Sequence, residues 1–390
     1  MSVGEAMPFR RIKLYSAAFL YVAAAVMIWW VLSAGPVTVY RTIVYNFSGI
    51  DDYRVFPQRK LTAAPLAFRF SEHVNPENAS LKVSVGGREA VSLTELLEKS
   101  KTTAFLIIRE DLIIFEKYFQ GFDRATPSLS FSMAKSVLSM LIGCALTDGY
   151  FRSIDQPVTD FVPELAKKGF AAVTLRHLLQ MTSGIDYAEN DFPLGIHARF
   201  YYTDRLEEEI LKLKLQEPPG TRFLYKSGDA FLLTLALHRA LGGKSITDYM
   251  QERLWNPLGM EYDGAWSIDH APDGLEKTGC CLAATARDFA KFGRLYLNQG
   301  QWNGLRIIPE AWVTESTRID TRAGSSWEYQ YLWWLVSQDR PDFMAIGHLG
   351  QFLYVSPTAR VIIVRLGKSM GGLNLRDWKE VFISLSEGIR

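Results

Sequence analysis

The chain has 390 residues, 48% hydrophobic and 22% charged, and its 43 Lys+Arg stand against 42 Asp+Glu for a formal net charge of +1. These values fit an ordinary globular chain with a substantial core and exclude intrinsic disorder and a collagenous repeat. The charge balance excludes nucleic acid as the main partner, because phosphate neutralisation needs a basic surplus.

The averages conceal an N-terminal anomaly. From Leu14 to Tyr40 there is no charged residue, and Leu14 to Ala34 reads LYSAAFLYVAAAVMIWWVLSA. Such a run of about 20 largely apolar positions is enough to cross a bilayer at about 1.5 Å per residue. Arg10, Arg11 and Lys13 precede it and only Arg41 follows closely. This asymmetry predicts a cytoplasmic tail over 1–13, a transmembrane anchor over 14–34, and the remaining chain on the periplasmic side of the inner membrane. Trp29, Trp30 and Tyr40 suit the outer interfacial belt. A cleaved signal peptide and a buried core helix are the competing readings. The run is long for a signal, Pro36 disfavours cleavage directly after Gly35, and a basic flank is unusual for a core helix.

Residues 35–60 read as an irregular lead-in, with prolines continuing to Pro76. Residues 61–390 read as one α/β unit. Leu81 to Val85, Gly86-Gly87 and Ala90 to Leu93 predict a small hairpin, and Ala104 to Arg109 with Leu112 to Phe119 a stronger one around Glu110-Asp111. Ser132 to Thr147 switches to helical spacing, with Gly149 as a stop. The stretch from about 150 to 300 is mostly helical in pattern. Strand-like runs return at Tyr331 to Val336, Phe352 to Val355 and Arg360 to Leu366, before a helix over about Leu375 to Glu387. Strands at both ends of the unit predict a mainly antiparallel sheet completed across a helical insertion.

A serine hydroxyl is a poor nucleophile until a base takes its proton. Ser132-Met133-Ala134-Lys135 offers one solution: positions i and i+3 of a helix share a face, and a desolvated lysine can serve as the base. Such a tetrad is weak evidence alone; the alternative is an exposed N-cap serine with a solvated lysine. Gly367-Lys368-Ser369-Met370-Gly371 imitates the elbow of an α/β-hydrolase, but no histidine follows His348, so it reads as a tight turn. Its Gly-Lys-Ser is no P-loop, since position 362 is Ile. His73, His177, His197, His238 and His270 have no metal-ligand spacing and read as structural or exposed. Cys144, Cys280 and Cys281 are too few and too oddly spaced for a disulfide framework or a zinc site.

FSMAKSVLSMLIGCALTDGY, LRHLLQMTSGIDY, FLYKSGD, WNPLGM, ATARDFAKFGRLYLNQGQWNG and GHLGQFLYVSP follow one another in the chain. In this order they resemble the β-lactamase-related serine hydrolases, and among them the 6-aminohexanoate-dimer hydrolases, from about Phe56 to Leu366. The resemblance implies a β-lactamase/penicillin-binding-protein-like fold of the α/β (α+β) class, with a helical subdomain at about 150–300. It implies Ser132 as nucleophile, Lys135 as base, and Tyr225 as the proton shuttle of the second motif. Ser227 stands where class C β-lactamases have asparagine. His348-Leu349-Gly350 stands where they have Lys-Thr-Gly, which removes a fixed positive charge suited to a substrate carboxylate. By the same correspondence the backbone N–H groups of Ser132 and Gln351 form the oxyanion hole.

These readings converge on two-step acyl transfer on a small-molecule amide or ester, needing no metal or organic cofactor. Efficient β-lactam hydrolysis is not expected. A peptidoglycan DD-peptidase and a non-catalytic wall-peptide-binding protein are the alternatives. The acyl pocket is expected to draw on residues 186–204, with Tyr187, Phe200, Tyr201 and Tyr202.

Overall fold

The computed structural model describes residues 7–72, 81–86, 90–190 and 192–388. His73 and the predicted turn residue Gly87 lie outside them. Two helices open the chain, α1 (Met7–Ala34) and α2 (Pro36–Tyr45). Between them Gly35 adopts φ +88°, a conformation that costs glycine little. Pro36 then starts α2, where its missing amide proton is not needed. The two axes are bent by 115°. No single helix among the described residues is long and apolar enough to cross a membrane, although Ala18–Ala34 and Pro36–Tyr45 meet that test as a pair.

The expectation of an irregular stretch after the apolar run is corrected here. α2 is a helix because Thr38, Val39 and Thr42 form one face and bury it against the catalytic unit. Gln58–Leu61 follows as a strand paired with Gly264–Ser267.

The main sheet contains β1 (Ser71–Glu72), β2 (Thr102–Arg109), β3 (Leu112–Tyr118), β4 (Tyr329–Gln330), β5 (Trp333–Ser337), β6 (Arg340–Gly347), β7 (Gln351–Ser356) and β8 (Val361–Gly367). Their spatial order is β4-β5-β6-β7-β8-β2-β3-β1. The C-terminal β8 therefore lies beside the N-terminal β2, with Ile362 opposite Ile108 and Val364 opposite Leu106. All these pairings are antiparallel except β1 with β3. The β2–β3 turn has Glu110 and Asp111 both at positive φ, the two-residue geometry that matches strand twist.

Alternate residues of β2 serve two cores. Leu106 and Ile108 face the larger one, with helices α3 (Met133–Thr147), α4 (Ile196–Tyr202), α5 (Ser227–Ala240) and α6 (Ala286–Leu297). Phe105 and Ile107 face Trp378, Phe382 and Leu385 of α7 (Leu375–Gly388). Burial on both faces explains the unbroken apolar run of β2. On α6, a Cβ at Gly293 would meet Ile362 and Leu353 at 2.9 Å, so glycine permits the close approach to the sheet.

The strand β6 escapes the sequence pattern. Pro341 and Asp342 interrupt it, yet Asp342 is buried and accepts hydrogen bonds from Tyr354 (2.6 Å), Ser356 (2.8 Å) and Arg340 (2.8 Å). The 150–300 segment is likewise not wholly helical. It returns through Gly264–Ser267 and Leu282–Ala284, and the latter pairs with Ser128–Leu129 just before the candidate nucleophile.

Candidate active site

Ser132 caps the N-terminus of α3, directly after Phe131 at φ +45°. A non-glycine residue held in the left-handed region is strained, and such strain concentrates at functional positions. Pairing fixes the segment on both sides. The Ser130 amide donates to the Leu282 carbonyl at 2.8 Å. A Cβ at Gly347 would lie 2.2 Å from the Ser130 carbonyl oxygen, so the end of β6 presses against the same backbone.

One turn into α3, Lys135 is 1% exposed. Its amine contacts three oxygens: Ser132 Oγ at 2.8 Å, Ser227 Oγ at 3.0 Å and the Gly279 carbonyl at 2.7 Å. The Tyr225 ring lies over it, 5.2 Å from centroid to Nζ. Tyr225 is held by Trp334 (centroids 5.2 Å apart) and Tyr329 (5.7 Å). Ser132, Lys135, Tyr225 and Ser227 thus come together at the starts of two helices distant in sequence.

Ser227 brings in a residue that the sequence reading missed. Its hydroxyl donates to Glu189 Oε1 and its backbone N–H to Glu189 Oε2, both at 2.7 Å. Glu189 is 24% exposed at its side chain, with His197 Nδ1 3.5 Å away. The His197 ring also contacts the Tyr187 hydroxyl at 3.1 Å, so His197 is a site residue rather than a bland surface one. The carboxylate sits at the first turn of α5, where the helix dipole favours negative charge. An isolated glutamate in a loop carries no spacing signal. Only the Ser-for-Asn departure at position 227 hints that this serine has a different partner.

The hydrogen inventory around the amine is directional. The Gly279 carbonyl can only accept. Ser227 gives its proton to a carboxylate and so must also accept from Lys135. Ser227 Oγ and the Gly279 carbonyl thus take two of the protons that the amine carries. Ser132 Oγ is the third oxygen within hydrogen-bond distance of the amine, close enough for a proton to pass between them.

The remaining expected residues lie at the end of β6 and the start of β7. His348 is exposed and meets the Phe131 ring edge-on at 5.4 Å. Gly350 has φ +80° and its carbonyl accepts from Arg365. Arg365 is buried on β8, and its guanidinium also bonds Ser100 O (2.8 Å), Ser369 O (2.7 Å) and Thr102 Oγ1 (3.0 Å). Burial lowers its pKa to about 9. Its contacts tie the 348–350 turn to the 367–371 segment. That segment is a turn, with Gly371 at φ +71°. The Gln351 side chain is turned into the sheet, donating to the Gly367 carbonyl at 2.7 Å and accepting from the Gly367 amide at 3.0 Å. The Gln351 side chain is therefore committed to the sheet, and the residue is fully buried.

Behind this array, Asp229 is wholly buried. It accepts from Ser183 Oγ and lies 3.8 Å from Lys226 Nζ. Burial raises its pKa to about 7, against the pull of Lys226. Lys277, also buried, donates to the Phe200 and Thr203 carbonyls, and burial lowers its pKa to about 7.

The cleft in front of Ser132 has a volume of about 580 Å³, and its lining includes Phe47, Glu189, Tyr201, Tyr225, Trp334 and His348. Of the four aromatics expected to shape it, Tyr201 and Tyr202 line it. Tyr187 and Phe200 pack against each other behind, centroids 5.3 Å apart. Cys280 also lines the cleft and is bonded to its neighbour Cys281. That link closes no loop and is not the framework the spacing excluded. Among the described residues no group of His, Cys, Asp and Glu is arranged to hold a metal ion.

Comparison with known proteins matches this architecture. The model of the Beta-lactamase family matches residues 93–384. The 6-aminohexanoate-dimer hydrolase of Paenarthrobacter ureafaciens is 27% identical over 307 residues, 73% of this chain and 77% of the relative. A Bacillus anthracis structure that carries the same name provisionally superposes with a TM-score of 0.79 at 23% identity, covering 87% of this chain and 93% of the other. EstCE1, a hydrolase with promiscuous acyltransferase activity, superposes at 0.59 with 15% identity, covering 75% and 96%. The chain belongs to the beta-lactamase family of serine hydrolases.

Proposed function

We propose that this protein hydrolyses a small amide or ester through a covalent Ser132 acyl-enzyme. The observation that carries the reading is the 2.8 Å contact between Lys135 Nζ and Ser132 Oγ, with Ser227 Oγ and the Gly279 carbonyl holding the amine in place. Lys135 takes the serine proton as Ser132 Oγ attacks the carbonyl. The tetrahedral oxygen is met by the backbone N–H groups of Ser132 and Gln351. Tyr225 passes the proton to the departing amine or alcohol. The same pair then activates water against the acyl-enzyme. Glu189 holds Ser227 in its accepting orientation. The named substrate of the Paenarthrobacter relative favours a small amide. His348 in place of lysine disfavours a substrate anchored by its carboxylate.

The N-terminal helix pair acts, in this reading, as a tether to the cytoplasmic membrane with the catalytic unit outside. Its support is the uncharged run from Leu14 to Tyr40 behind Arg10, Arg11 and Lys13. A fluorophosphonate probe and p-nitrophenyl acetate test the chemistry. Wild type is labelled and turns over, whereas Ser132→Ala does neither while keeping its thermal midpoint. Undiminished turnover by Ser132→Ala would refute the assignment.

A further inference from the structure

The face of α2 that turns away from the catalytic unit is apolar and bare. Tyr40, Ile43 and Val44, with Phe47 just beyond the helix, follow i, i+3, i+4, i+7 spacing and are 52–82% exposed. The opposite face is docked. Thr38, Val39 and Thr42 are buried, and Arg41 donates to the Tyr202 carbonyl at 3.1 Å. Between Leu14 and Ile50, Arg41 is the single charged residue. An apolar stripe of this kind on a docked helix marks an interaction surface.

Three features select a bilayer as its occupant. α1 leads directly into α2 and is itself exposed and apolar, with Phe19, Leu20, Val22, Ile28, Trp29 and Leu32 uncovered. Its described apolar part, Ala18–Ala34, is about 25 Å long at about 1.5 Å per residue, enough to enter the hydrocarbon layer though not by itself to cross it. The 115° bend sets α2 within about 25° of the plane perpendicular to α1, the attitude of an interfacial helix.

The stripe also runs to the catalytic cleft. Asn46, Phe47 and Ser48 line it, as do Asn190 and Pro193. Next to the latter pair, Phe192 and Leu194 are exposed apolar residues. The rim of the Ser132 cleft is therefore continuous with the apolar face of α2.

We propose that α2 lies in the headgroup layer of the leaflet that α1 enters, and that the Ser132 cleft draws fatty-acyl esters or amides from that surface. This rests on the tether and the acyl-enzyme proposed above, and adds to them the substrate class. The fatty-acyl carbon bonds to Ser132 Oγ as its bond to the alcohol or amine breaks. The leaving group departs with the serine proton, and water then releases the fatty acid. Phe47, Phe192 and Leu194 at the cleft mouth give the chain an apolar path from leaflet to cleft.

The test uses the full chain reconstituted in phosphatidylcholine vesicles, with 4-methylumbelliferyl palmitate in the bilayer and p-nitrophenyl acetate in solution. The double variant Ile43→Glu/Val44→Glu alters the stripe without touching the cleft lining. It is expected to lose about tenfold or more of the palmitate rate while keeping the acetate rate. An undiminished palmitate rate, or equal loss on both substrates, overturns the proposal. So does a change from dimer to monomer in the variant, which would assign the stripe to a second copy. Release of the wild-type chain from vesicles by alkaline carbonate defeats the tether, and retained acetate turnover by Ser132→Ala defeats the acyl-enzyme. The separate readings thus fail separately.

Discussion

Lys135 Nζ donates to Ser227 Oγ at 3.0 Å, which ties the helix that starts at Ser132 to the helix that opens after Tyr225. Because Ser227 in turn donates to Glu189, the pair fixes Ser227 Oγ as an acceptor from Lys135. If Glu189 acts through Ser227, its loss matters only while the serine is present. Glu189→Gln is expected to lower kcat about tenfold with little change in KM, and Ser227→Ala by a similar factor. The double variant should be no worse than Ser227→Ala alone, since residues in one network are non-additive. Additive losses in this cycle would remove Glu189 from the relay.

Tyr225 is placed by its ring, through Trp334, Tyr329 and the Lys135 side chain. Tyr225→Phe keeps that packing and deletes only the proton-carrying oxygen. The rate on p-nitrophenyl acetate should fall by about 10²-fold, with an unchanged thermal midpoint measured on the same preparation.

His348 stands at the rim of the cleft beside Phe131. Without a permanent positive charge there, nitrocefin turnover should be slow or absent. His348→Lys restores a cation toward a substrate carboxylate and is expected to raise kcat/KM for nitrocefin by about 10–100-fold, the worth of one charge-assisted hydrogen bond. Steady-state absorbance assays of both forms decide it.

Asp229 supplies a pH signature of stability. Its carboxyl is raised from 3.8 to about 7 by burial, so the folded state holds a proton that the unfolded state releases. The resulting stabilisation is complete below about pH 3.8 and is lost as pH rises through about 7. Asp229→Asn cannot titrate. Its thermal midpoint should therefore depend less on pH between 4 and 8 than that of the wild type, as followed by calorimetry.

Much of the fold was legible because local patterns and tertiary demands agreed. The continuous apolar run of β2 reported a strand buried on both faces, and Glu110-Asp111 reported its turn. Ser132 and Lys135 were legible because one helical turn brings them together whatever the rest of the chain does. β6 was hidden because its buried Asp342 reads as a surface residue until Tyr354 and Ser356 are seen to satisfy it. α2 was hidden because its apolar residues face outward and its small docked face holds two threonines.

By itself the sequence determined that Ser132 and Lys135 share one helical turn, the order of the family's blocks, and an uncharged N-terminal run behind a basic flank. These are properties of neighbouring residues, and a helix turn or a count of charges suffices to read them. Only the tertiary structure decided that Glu189 grips Ser227, that the Gly279 carbonyl caps the lysine, and that Arg365 ties the 348–350 turn to the 367–371 turn. Those contacts join segments far apart in the chain, and nothing in the local spacing of either partner specifies the other.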